Sequence, residues 1–161
     1  MKQRIFSIVL MTLMVVLVAG CKQQSQGDEA APGVRINQEV YSVLAPDGWD
    51  YSVSGEGNYQ NLNLTKGQAK LAFHAYTNSR NTAEGQMQTI CRQRHGWEYQ
   101  PTMELGDNKW SVAYAPNANT KFASRYQAFA AMKQGVLSVA VENIDISDAE
   151  VQQILESVKM K

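Results

Sequence analysis

From residue 40 onward the chain alternates apolar and polar positions with a period of two, and it switches twice to the wider spacing of a helix. Val40 to Ala45 reads as a strand, stopped by the turn residues Pro46-Asp47-Gly48 before Trp49. Tyr51 and Val53 continue on one face until Ser54-Gly55-Glu56-Gly57-Asn58 breaks the chain again. Leu62 and Leu64 alternate with Asn61, Asn63 and Thr65, the pattern of a half-buried strand. After the turn at Lys66-Gly67, Leu71, Phe73 and Ala75 face one way, and Ala72, His74 and Tyr76 the other.

The first change of period follows Asn81. Asn81 with Glu84 three residues on predicts a capping box, and Ala83, Met87, Ile90 and Cys91 form one stripe at helical spacing, with Gly96 placed to end it. The second half reads as a meander. Thr102 to Leu105 is a short strand, Gly106-Asp107-Asn108 a turn, and Trp110, Val112 and Tyr114 alternate with Ser111 and Ala113. Pro116 to Thr120 reads as a loop, and Phe122 to Met132 as a long strand that Gln134-Gly135 turns back into Leu137, Val139 and Val141. A closing helix is predicted from Ser147 to Lys159. Ser147 is its cap, Glu150 completes the box, Ile146 and Val151 sit at the staple positions, and Val151, Ile154, Leu155 and Val158 make the apolar stripe. The link Ile144-Asp145-Ile146 is short, so this helix is expected across the sheet that carries Leu137, Val139 and Val141. Strands, helix, strands, helix, joined mostly by tight turns, predict an α+β class: an antiparallel β-sheet covered by two or more helices.

The first 33 residues do not belong to this pattern. Lys2 and Arg4 are the only charges before Cys21, and Ile5 to Ala19 is apolar but for Ser7 and Thr12. That run is shorter than the roughly 20 residues a spanning helix needs, and it has the form of a secretory signal. It closes on Val18-Ala19-Gly20-Cys21, which resembles the bacterial lipobox: a branched aliphatic, two small residues and a cysteine. The resemblance implies a signal peptide over 1–20, removed before Cys21, a diacylglycerol on the Cys21 sulfur and an acylated new amino terminus. Each buried methylene contributes about 0.8 kcal/mol, and two or more chains hold a protein stably on a bilayer. The membrane is therefore an expected partner through lipid on Cys21, and no apolar span need follow. Lys22 to Gly33 is polar and small, a flexible tether over 21–33 for a single globular domain over 34–161. By resemblance to enterobacterial lipoproteins, Lys22 in place of an acidic residue after the cysteine implies the outer membrane, on its periplasmic face.

Charge and cysteine content narrow the function classes. Loss of Lys2 and Arg4 with the signal leaves 13 basic and 15 acidic residues, a net charge of −2. No basic stripe marks a nucleic-acid binder. With Cys21 committed to lipid, Cys91 has no second cysteine to pair with, so the domain must be held by its core.

The segments "YSVLAPDGW" and "VLSVAVENIDISDAEVQQILESVK", with a helix and a meander between them, resemble the PsbP/Mog superfamily and its DcrB-like bacterial lipoproteins over roughly residues 36 to 160. That resemblance implies a PsbP/Mog-like fold and a non-catalytic role as accessory subunit or adaptor, with an envelope protein as partner. It assigns no site residues. "SGEGNYQNLNLTKGQAKLAF", residues 54–73, resembles the Ser-Gly-x-x-x-Tyr loop and following Lys-Gly turn of membrane-bound C-type lysozyme inhibitors. It implies an alternative: an inhibitor or immunity protein that inserts Ser54 or Tyr59 into the cleft of an envelope-targeting enzyme.

The candidate chemistry is sparse. Cys91 and His95 are four apart on the expected helix, where a thiolate and an imidazole can meet, but the same spacing suits a buried cysteine and a histidine in the last helical turn. One Cys-x-x-x-His supplies two metal ligands where a closed zinc site needs four. His74, on the sheet face opposite Leu71 and Phe73, reads as a packed histidine before a ligand. Gly55 and Gly57 precede a strand rather than a helix, so no phosphate cradle forms. Trp49, Trp97, Trp110 and Tyr114 are a core set by pattern, or a ligand-lining set, with Trp49 beside Ser54 and Tyr59 as a binding candidate. The reading is a lipid-anchored, non-enzymatic binding or accessory protein without a cofactor or a metal.

Overall fold

A computed structural model describes residues 32–55, 59–116 and 124–161, and Ala31–Lys161 form one compact unit. The expected signal peptide, Cys21 and the expected tether up to Ala31 lie outside the described residues, as do residues 56–58 and 117–123. Eight strands form one antiparallel sheet. They are β3 (Asp50–Ser54), β4 (Tyr59–Lys66), β5 (Ala69–Tyr76), β6 (Glu98–Tyr99), β7 (Met103–Leu105), β8 (Asn108–Tyr114), β9 (Ser124–Ala131) and β10 (Val136–Glu142), in the order β3-β4-β5-β10-β9-β8-β6, with β7 also on β8. A second sheet, β1-β2-β11, combines β1 (Gly33–Asn37), β2 (Tyr41–Pro46) and β11 (Lys159–Met160). Two helices complete the described fold, α1 (Ala83–Gln93) and α2 (Ala149–Glu156).

The expected α+β class, a PsbP/Mog-like sheet roofed by helices, is therefore corrected. Half of the described residues are in strands and 16% are helical, so the fold is dominated by its two sheets. The reason lies in β2. Each of its six residues is buried, and it is flanked by β1 and β11, so strand pairing rather than helix packing covers much of the large sheet. On that side Tyr41 of β2 stacks on Phe73 of β5 at 6.1 Å between ring centres.

The main core lies between the sheets and α2. Leu62, Leu64, Leu71, Leu137, Val139 and Val141 of the large sheet are fully buried, as are Val151, Ile154, Leu155 and Val158 of the closing segment. The stripe expected for that segment is thus its buried face, although α2 packs most closely on β2 and β7 rather than on β10. Burying each such side chain contributes about 1.5–3 kcal/mol. A smaller cluster on the opposite side joins Ala83 and Met87 of α1 to Trp97, Ala113, Ala115, Phe129 and Val136.

Both helix starts lie one residue later than predicted. Thr82, not Asn81, caps α1, accepting from Gly85 N at 3.0 Å; position N3 is then a glycine and no reciprocal box forms. Asp148, not Ser147, caps α2, accepting from Glu150 N at 2.9 Å. Ser147 instead binds Asp145 through its own N–H and hydroxyl. The β9–β10 turn requires Gly135: its φ is +100°, and a Cβ there would stand 1.9 Å from Tyr76 O.

Candidate functional site

The edge of the large sheet at β3 is the most unusual surface of the described fold. Tyr51 pairs with Leu64 and Val53 with Leu62, so the four side chains share the core-facing side. Both leucines are 0% exposed, whereas Tyr51 is 51% and Val53 49% exposed. The core stops abruptly at its last strand. β3 pairs only with β4 among the described strands, and an edge strand presents a row of unpaired backbone donors and acceptors. It carries no proline or lysine of the kind that discourages edge pairing.

The strand is held at its start. Trp49 is 6% exposed, and its indole N–H donates to Glu150 Oε2 at 3.2 Å. The same carboxylate accepts from Lys66 Nζ at 2.6 and 2.8 Å, tying the β4–β5 turn to α2. These bonds, that from Lys66 first, hold the Glu150 carboxyl below the usual range. Ser54 is exposed at the other end of β3 and pairs with Asn61, on the side facing away from the main core. Tyr59 opens β4, with its backbone paired to Tyr76. Trp49 and Ser54 thus lie at opposite ends of a five-residue strand, roughly 15 Å apart, and do not converge.

A cleft of about 280 Å³ opens between the β6–β7 loop and the start of α2, with Met103, Val112 and Ile146 on its floor and Gln100 and Gln152 on its rim. Tyr126 stands in it. Its hydroxyl donates to Asp145 Oδ2 at 2.6 Å, and its ring stacks on Tyr114 with centres 4.7 Å apart. Burial first, then this bond, pushes the Tyr126 hydroxyl up to about 12, while Asp145 is held below the ordinary carboxylate range by Tyr126 and Ser147. Tyr126 therefore stays protonated and Asp145 ionised near neutral pH, which suits orientation and not proton transfer.

The Cys91–His95 pair does not form a reactive couple. α1 ends at Gln93, so His95 lies beyond the helix, in an exposed turn, and the four-residue relation no longer brings the side chains together. The free Cys91 thiol is half-buried, and burial raises its pKa away from the thiolate. Among the described residues no group of three or more His, Cys, Asp or Glu side chains is arranged to hold a metal. The aromatic set divides: Trp49, Trp110 and Tyr114 belong to the main core, Trp97 to the cluster under α1. Sequence reasoning missed the exposure of Tyr51 and Val53, because their alternation is the same as in the buried strands. Compared with known proteins, the chain matches no family model, no curated protein and no solved structure.

Proposed function

We propose that this chain is a lipid-anchored, non-enzymatic accessory protein of the bacterial envelope, held to the outer membrane by lipid on Cys21 and facing the periplasm. It recruits a protein partner by adding a strand of that partner to β3. The observation that carries this reading is the half-exposed pair Tyr51 and Val53 beside the fully buried Leu64 and Leu62. A partner strand laid along β3 satisfies the edge backbone and extends the core over both side chains at once. The reading asks for no reacting group: main-chain pairing supplies affinity and the two apolar side chains select the partner. The tether keeps this edge within reach of a membrane-bound partner.

Photo-cross-linking in intact cells tests it. A photoreactive residue at Val53 should capture one envelope protein, and one at Tyr99, exposed on β6 at the opposite edge, should not. Tyr51→Ser with Val53→Ser should weaken that complex at least tenfold, since each side chain loses about half the 1.5–3 kcal/mol of full burial. Capture from Tyr99 alone, or an undiminished complex with the double variant, would reject β3 as the docking edge. If the captured protein is a hydrolase inactivated in the complex, the role is that of an inhibitor. The anchor is tested separately: wild-type protein should incorporate labelled palmitate, Cys21→Ser should not, and an unlabelled wild type rejects it.

A further inference from the structure

The side of the large sheet that faces away from β2 is covered unevenly. α1 packs on β8, β9 and β6 and its cluster takes in Val136 at the start of β10, while no described helix or strand packs over β3, β4, β5 and the far end of β10 there. Register brings a chemically uniform set of side chains to this open half. One row across the strands runs Ser52, Asn63, Ala72, Ala140, Gln127. The next runs Ser54, Asn61, His74 and Ser138, the last of them buried where the row meets the part under α1. Ala72 and Ala140 are paired neighbours and only partly covered, so they form a low floor between longer side chains.

The surrounding groups are amides, hydroxyls and rings. His74 Nδ1 is hydrogen-bonded to Asn61 Oδ1; the amide oxygen only accepts, so Nδ1 donates. The His74 ring meets Tyr76 edge to face at 4.3 Å, and Tyr76 is 38% exposed. Arg94 Nη1 donates to Gln127 Oε1 at 3.3 Å, and Gln127 Nε2 donates to Ser138 Oγ at 3.3 Å, which fixes the amide's orientation and leaves it a second N–H and a lone pair. Lys70 and Glu142 face each other at 3.7 Å, and the Arg94 guanidinium that reaches Gln127 lies 5.5 Å from the centre of the Trp97 ring.

We propose that this depression binds a neutral glycan, with one sugar ring seated over Ala72 and Ala140. A sugar presents hydroxyls that both donate and accept, and apolar C–H faces between them. Planar amides match the hydroxyls because each carries a donor and an acceptor. Asn63 and Gln127 stand three strand spacings apart, roughly 14 Å, with the alanine floor between them. Tyr76 supplies an aromatic surface beside His74 for a C–H face. A polyanion would need a cluster of cations, and the two beside this floor, Lys70 and Arg94, are engaged with Glu142 and Gln127; a protein strand or a membrane would need a row of exposed apolar side chains larger than alanine. The site is separate from the β3 edge, whose Tyr51 and Val53 project to the other side of the sheet.

The test is nuclear magnetic resonance of the full chain in detergent micelles, titrated with maltotetraose, with chitotetraose and, as a charged contrast, with tetragalacturonate. A saturable shift of the His74 ring and Asn63 side-chain signals is expected from at least one neutral tetramer, and none from the acid. Asn63→Ala should weaken that binding about tenfold by removing hydrogen bonds to the ligand. Ala140→Leu should abolish it by filling the floor, with backbone signals of α2 unchanged. Should Ala140→Leu fail to fold, Asn63→Ala decides alone. No saturable shift with either neutral tetramer at millimolar concentration, equal binding of tetragalacturonate, or wild-type affinity in the variants overturns the proposal.

Discussion

Ser157 gives the most direct test of how the closing helix is held to the second sheet. β11 pairs with β2 only at Tyr41 and Ser42, so farther along β2 the Leu44 amide has no β11 residue to pair with. The Ser157 hydroxyl takes that place: Oγ accepts from Leu44 N at 2.8 Å and donates to Ile154 O at 2.7 Å. Leu44 is 8% exposed, so water is a poor substitute. Ser157→Ala therefore leaves a buried donor unpaired, at a cost of about 1–3 kcal/mol rather than the roughly 1 kcal/mol of an ordinary exchanged bond. Against a typical stability of about 5–15 kcal/mol this is a large change, and it corresponds to a fall in Tm of roughly 3–15 °C for a domain of this size. Urea unfolding followed by tryptophan fluorescence reads it, because Trp49, Trp97 and Trp110 are all buried. The denaturant slope should stay constant while the midpoint falls, and the Leu44 amide should exchange faster with solvent. Ser157→Thr keeps the hydroxyl and should retain most of the stability. A Ser157→Ala protein within about 0.5 kcal/mol of wild type, or unchanged exchange at Leu44, would refute the substitute-strand argument.

Three further outcomes follow from the same physics. The Tyr41 hydroxyl is buried without a hydrogen-bond partner among the described residues, and burial raises its pKa, so Tyr41→Phe should stabilise the protein by about 1 kcal/mol in the same urea assay; a loss of stability would reveal a partner. The folded pKa of Asp145 is depressed, with the Tyr126 hydroxyl as the largest cause, so its stabilisation is present above the ordinary carboxylate value and is lost as pH falls through the folded value. Tyr126→Phe should accordingly flatten the acid side of a plot of Tm against pH, and an unchanged slope would exclude the coupling. Native Cys91 should react with a disulfide reagent more slowly than the unfolded chain at the same pH, because its thiol is half-buried and its pKa raised; equal rates would show an activated thiol.

In the inner strands of the large sheet and in the closing helix, alternation determined which side chains enter the core. Leu62 and Leu64, Leu71, Phe73 and Ala75, Leu137, Val139 and Val141, and the stripe of Val151, Ile154, Leu155 and Val158 are buried where a period of two or of 3.6 places them, because that choice is local to a strand or a helix. The caps were legible only to within a residue, since Asn81 and Thr82, like Ser147 and Asp148, are adjacent residues that both suit the position. The sheet-dominated architecture was not legible. β1 has only Val34 and Ile36 as apolar signal and β11 is two residues long, yet both become strands because β2 stands ready to pair with them. The candidate sites depend on the same non-local step. Tyr51 and Val53 alternate as the buried strands do, and only the strand order leaves them at an edge. Ala72 and Ala140 read as unremarkable small residues until register sets them side by side with Asn63 and Gln127 on either flank. A residue's face follows from its immediate neighbours in the chain, whereas what stands beside it in a sheet follows from hydrogen-bond pairing between distant segments.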